Sequence, residues 1–185
     1  MVTGSSAPPP PDEASLREVA MNYLARYATT EAGLRLVLYR RIDRWARLAA
    51  DRDDTGECAA AARTLVPPIV ARMVELGLLN DAAFAANRAR GLALSGRSRR
   101  AIAARLMAKG IGPDQAREAV PEDGELVSAL ILARKRRIGP FRKAEPDRNR
   151  ELGVLARAGF PRDVALRALA MDADEAEAAI IEARA

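Results

Sequence analysis

Five arginines, Arg88, Arg90, Arg97, Arg99 and Arg100, fall within thirteen positions that hold no acidic residue, and Arg105 and Lys109 follow at helical spacing. A second run, Arg134, Lys135, Arg136 and Arg137, is extended by Arg142 and Lys143. Side chains of this type bind anions. The partner is either a phosphate backbone, with counterion release making affinity fall with salt, or an acidic protein surface. Part of the set can be structural: the stems of Arg88 and Arg105 can lie over a core, and cations at the end of a helix suit its dipole.

Bond-making chemistry has little to work with. The chain has no histidine and one cysteine, Cys58, which removes Ser-His and Cys-His nucleophile pairs, histidine-containing zinc sites and intramolecular disulfides. The carboxylates of "DRDD" (Asp51 to Asp54) read as a solvated linker, not a Mg²⁺ site, because no second acidic cluster stands near them. "GLALSGRS" lacks the Gly-Lys-Ser/Thr ending of a phosphate-binding loop. No catalytic residue, metal site or cofactor is expected. No apolar run approaches a membrane span, and "MVTGSSAPPPPDEAS" lacks the apolar core of a secretion signal, so a cytoplasmic protein is expected.

The elements that must carry these cations are helices. Alanine dominates the apolar residues and aromatics are 4% of the chain, which fits small cores between close-packed helices. Apolar stripes at helical period run through Leu16, Val19, Ala20, Tyr23, Leu24 and Tyr27, with Ser15 as a possible cap, and through Leu34, Val37, Leu38, Ile42 and Trp45. "PPIVARMVELG" predicts a helix stopped by Gly77. Asp81 and Ser98 are placed to cap the next two, and Pro113 suits a first helical position. Helices are also expected over "DGELVSALILARKRRIG", "DRNRELGVLARAG" and "PRDVALRALAM". "AADRDDTGECAAAARTLV" reads as an insertion or a helix extension, and the acidic end "DADEAEAAIIEARA" as a final helix, a self-masking segment or a solvated tail.

An internal repeat organises the second half. At an offset of 49 residues Leu106 meets Leu155, Gly110 Gly159, Ile111 Phe160, Asp114 Asp163, Ala116 Ala165, Ala119 Ala168, and Val120 Leu169. A helix-ending glycine, an apolar plug and a fresh helix start recur in order. The expected architecture is all-α, with about three tandem three-helix modules. Residues 1–14 are expected as a disordered proline-rich tail, 15–78 as a first module with an inserted linker near 50–64, and 79–122 as a basic second module. A third module covers 123–171 and an acidic segment 172–185. Charge follows this plan: residues 85–143 carry +9, while 1–84 carry −1 and 144–185 carry −3. Tyr23, Tyr27, Phe84 and Phe160 read as core, leaving Tyr39, Trp45 and Phe141 as the freer rings, so a base-stacking platform is not supported.

"GLLNDAAFAANRARGLALSGRSRRAIAARLMAKGI" resembles the middle of the RecX regulatory proteins at Gly77, Leu79, Asp81, Phe84, Ala85, Arg88, Gly96, Arg97, Ile102, Leu106, Lys109, Gly110 and Ile111. Asn80 replaces the usual first acid and Leu78 the usual aromatic. The first module lacks the common Glu-Leu pair. The resemblance implies a non-enzymatic protein of tandem three-helix modules forming an elongated, curved body; a monomer is expected. It would lodge in the groove of the RecA nucleoprotein filament and limit its growth, ATP hydrolysis and strand exchange, so restraining recombination and the SOS response. DNA would be met weakly or within the filament. A helical protein acting on nucleic acid directly is the alternative.

Overall fold

The computed structural model describes residues 8–121, 124–143, 145 and 147–184, and among them finds eleven α-helices, one 3₁₀ turn and no strand. The helices gather into two compact units, residues 1–84 and 85–185.

The first unit holds α1 (Glu13–Leu24), α2 (Glu31–Leu48), α3 (Thr55–Thr64) and α4 (Val66–Glu75). The α1 cap is Asp12, whose carboxylate accepts from the Ser15 amide at 2.9 Å; Ser15, two residues further on, lies inside the helix. Thr30 caps α2 by accepting from the Gly33 amide. Leu16, Ala20, Leu34, Leu38, Ile42, Trp45, Val66, Val70 and Met73 make the core, each large side chain contributing roughly 1.5–3 kcal/mol of burial. Trp45, expected among the freer rings, is only 4% exposed in this core. Tyr27, expected inside, lies beyond the end of α1 with its ring tilted against Tyr23. Residues 55–64, expected within an inserted linker, are helix α3, and Ala59 and Ala62 are buried in the unit's core. Alanine methyl groups, with the partly buried Cys58 beside them, make that contact, which leaves no large apolar stripe to read. Of the expected disordered tail, residues 8–11 lie against Trp45, whose indole N–H donates to the Pro8 carbonyl at 2.8 Å.

Helix α5 (Asp81–Ala93) starts at the edge of the first unit. Asn80, not Asp81, accepts from the Ala83 amide at its start, while the Asp81 carboxylate turns back to accept from the Glu31 amide at 2.9 Å. The rest of the second unit is α6 (Arg99–Met107), α7 (Pro113–Glu118), α8 (Glu125–Arg136), a 3₁₀ turn at Gly139–Phe141, α9 (Arg148–Arg157), α10 (Arg162–Ala170) and α11 (Ala173–Glu182). Helix α8 is central: Ala129, Leu130, Ile131 and Ala133 are all buried, and α9, α10 and α11 pack on it. The acidic end of the chain is therefore a final helix, held by Ala176 and Ile180 in the core.

The sequence repeat is a repeat of geometry. Gly110 and Gly159 take φ of 85° and 89°. In each, the residue after the glycine donates to the carbonyl five positions back: Ile111 to Leu106 at 3.2 Å, Phe160 to Leu155 at 3.1 Å. The glycine amide itself donates three back, to Met107 and Ala156. This satisfies the last carbonyls of α6 and α9 and folds the apolar plug under the helix end. Arg137 makes the same closure on α8, at φ 54°, without being a glycine.

Candidate functional site

The two basic runs meet in the second unit because α6 begins against α9 and α8. Ser98 joins these parts. Its hydroxyl donates to the Ala158 carbonyl at 2.7 Å and accepts from the Ala101 amide, so one buried side chain both caps α6 and ties it to the end of α9. Glu125, in the first turn of α8, accepts from the Arg99 amide at 3.1 Å, and Ser128 donates to the Ala93 carbonyl. Gly96 closes α5 where no side chain fits: a Cβ there would lie 3.0 Å from the Leu132 amide nitrogen.

This packing leaves two open clefts. The first, about 610 Å³, is lined by Ser95, Gly96 and Arg97 from the α5–α6 turn, Leu132, Lys135 and Arg136 from α8, and Val154, Arg157 and Ala158 from α9. Four cations converge there and no carboxylate is among the lining side chains. Lys135 is steadied by donating to the Ser95 carbonyl at 2.8 Å. The second cleft, about 720 Å³, is lined by Arg99, Arg100, Glu125 and Arg162 around an apolar floor that includes Leu152 and Phe160. Gly153 and Ala156 keep the α9 side of that floor low. Both clefts are open to solvent. What they offer is cationic surface of fixed spacing.

The structure sorts the expected contact residues. Arg97, Lys135 and Arg136 come together in the first cleft, Arg99 and Arg100 in the second. Arg88, Arg90, Arg105 and Lys109 are exposed on α5, on α6 and just past its end, and line neither cleft. Arg137 is exposed and also lines neither. Arg134 is drawn away from the candidate surface: it pairs with Glu177 of α11, forty-three positions along the chain. Arg142 is likewise structural, its guanidinium gripping the buried Glu151 carboxylate at 3.0 and 3.2 Å. Arg157 and Arg162, which the sequence reading did not single out, each enter a cleft. They sit in a stretch whose net charge is negative, where counting by segment hides them.

Groups considered for chemistry are otherwise engaged. Asp54 is clamped by Arg52 through two bonds of 2.9 Å, which hold its carboxyl below the usual range. Desolvation and the adjacent Asp54 push the Cys58 thiol up, so it is not a thiolate at neutral pH. Among the described residues no group of three or more Cys, Asp or Glu side chains is arranged to hold a metal ion. No helix there is long and apolar enough to cross a membrane.

Fold and clefts define an all-helical protein with modular helical repeats and a cationic surface. The family model for the second three-helix domain of RecX matches residues 80–120, the segment that carries the first basic run. The "Regulatory protein RecX" of Myxococcus xanthus is 40% identical over 162 residues, 83% of each chain. That of Agrobacterium fabrum is 40% identical over 102 residues, 54% of this chain and 55% of its own. The crystal structure of RecX from Lactobacillus salivarius superposes with a TM-score of 0.62 over 90% of this chain and 97% of that one, at 19% identity. The chain belongs to the RecX family.

Proposed function

We infer that this protein is a non-enzymatic cytoplasmic regulator that binds the RecA nucleoprotein filament as a monomer and limits its ATP hydrolysis, strand exchange and growth, thereby restraining recombination and SOS induction. The observation that carries the reading is the first cleft: Arg97, Lys135, Arg136 and Arg157 converge from three elements with no carboxylate among them. Such a site suits the phosphates and acidic side chains of a filament groove. Arg99, Arg100 and Arg162 add a second cationic cleft on the other side of α9. The exposed Arg88, Arg90, Arg105, Lys109 and Arg137 add attraction without a shaped site, and Arg134 acts inside the fold. The helical modules, with boundaries near residues 79 and 123, repeat the contact along neighbouring RecA subunits.

Direct action on nucleic acid is the second reading, favoured by the absence of carboxylates from the lining of the first cleft. The two separate by fluorescence anisotropy of the labelled protein, titrated with RecA–single-strand filaments and with the same DNA bare. Binding to filaments at least about tenfold tighter than to bare DNA supports the filament reading. Equal affinities, each with a steep salt slope, refute it and promote the alternative.

A further inference from the structure

Residues 8–11 are four consecutive prolines that run beside α2 on the first unit, and with Arg41, Trp45 and Leu48 of that helix they wall an open groove with about 390 Å³ still unfilled. Each proline ring fixes φ near −65°, and a run of them favours the polyproline II helix, whose carbonyls have no internal partners. A segment like this offers rings and acceptors but no N–H. A surface that receives it must offer a flat apolar wall and a hydrogen-bond donor. Trp45 supplies both, its Nε1–H donating to the Pro8 carbonyl at 2.8 Å. Proline-rich segments are commonly recognised this way, on an aromatic-walled groove.

The contact is a surface one. Pro8, Pro9 and Pro10 stay exposed on their outer sides, and Leu48 at the groove's rim is 67% exposed. Nothing in α1 depends on the strap, because its cap, Asp12, lies beyond the last proline. The strap can lift while the helices stay formed.

We propose that the Trp45 groove is a binding site for a proline-rich segment of a partner protein, which residues 8–11 of this chain cover in cis as a tethered competitor. The seated tail shows the ligand's chemistry: a run of about four prolines with one carbonyl facing the indole. A tether this short keeps the competitor at an effective concentration of roughly millimolar or above, so the site opens to a partner only when the tail is withdrawn or outnumbered.

Trp45 is the chain's single tryptophan, so a change of its emission when residues 8–11 are altered, with helicity kept, reports this contact. The full-length variant Pro8→Ser, Pro9→Ser, Pro10→Ser, Pro11→Ser, checked for helicity by circular dichroism, should emit further to the red than the unaltered protein. Acetyl-Pro-Pro-Pro-Pro-Asp-amide should restore the blue emission saturably, with an apparent affinity roughly tenfold tighter than for the unaltered chain. Adding Trp45→Phe to the variant keeps an apolar ring but removes the donor, and should weaken binding of the fluorescently labelled peptide several-fold. Unshifted emission in the serine variant, or no saturable peptide binding to it, overturns the proposal. So does equal peptide affinity for the variant and the unaltered chain. A concentration-dependent dimer of the unaltered chain, lost in the serine variant, would make a second copy's tail the occupant and overturn the partner assignment.

Discussion

Replacing Gly159 with alanine tests how the two clefts are held in shape. Gly159 takes φ 89°, and a Cβ there would lie 2.8 Å from the Ser98 hydroxyl oxygen. The backbone conformation alone costs an L-residue roughly 1–2 kcal/mol. The contact adds about 1–3 kcal/mol of overpacking, because Ser98 is fully buried and engaged twice, with Ala158 and with Ala101. Gly159→Ala should therefore destabilise the second unit by about 2–5 kcal/mol. Ser98→Ala removes the cap and the tie, costing about 1 kcal/mol, and also removes the oxygen that the new methyl meets. In that background Gly159→Ala should fall to its conformational cost, leaving a coupling of about 1–3 kcal/mol between the two positions. Urea unfolding of the four proteins followed at 222 nm measures it. A coupling below about 0.5 kcal/mol would refute the idea that Ser98 and Gly159 lock α6 to α9.

Other expectations follow from single side chains. Arg137→Gly relieves a left-handed arginine at the end of α8 and should stabilise the second unit by about 1 kcal/mol in the same assay, without weakening filament binding by more than about twofold. Asp81 is raised, first by burial and also by the neighbouring Glu31, against the Glu31 amide that it accepts. Its folded form holds the proton longer than the unfolded chain, so it costs stability as pH rises from about 4 through its raised value. Asp81→Asn should remove that loss and be neutral or stabilising at pH 7, by denaturation at pH 4 and 7. Asp172 is lowered by the Asp174 and Glu175 amides at the start of α11. Its contribution is present above the ordinary aspartate range and is lost as pH falls through the lowered value, so the second unit should lose less stability on acidification in Asp172→Asn.

Much of the fold was legible because its signals are local. Leu106, Gly110 and Ile111 with their counterparts Leu155, Gly159 and Phe160 announce a helix end and a plug by residue type alone, and the backbone closes identically at both. Helix α3 was not legible, since Ala59 and Ala62 bury methyl groups that look the same on an exposed helix. Asp12 and Asn80 took the caps read for Ser15 and Asp81 because two oxygen-bearing side chains stood close together at each helix start, and only the backbone path chose between them. The site was legible in kind but not in membership. Lys135 and Arg136 stayed available while Arg134, next to them, was taken by Glu177 from a helix far along the chain. Arg99 and Arg100 turned to the opposite side of α9 from Arg97. No spacing rule reads a contact across forty-three positions, and none reads a cleft made by three elements.

The most direct test of the account is ATP hydrolysis by RecA on single-stranded DNA, titrated with this protein and with the variant Arg97→Ala, Arg136→Ala, Arg157→Ala. All three side chains leave the first cleft while Lys135 keeps its bond to Ser95. The account predicts inhibition by the unaltered protein well below one molecule per RecA. The variant, with the helical circular dichroism of the unaltered chain, should need roughly tenfold more protein or greater for the same inhibition, on the scale of three lost charge contacts. Equal inhibition by both would contradict the assignment of the cleft, and no inhibition by either would contradict the proposed function.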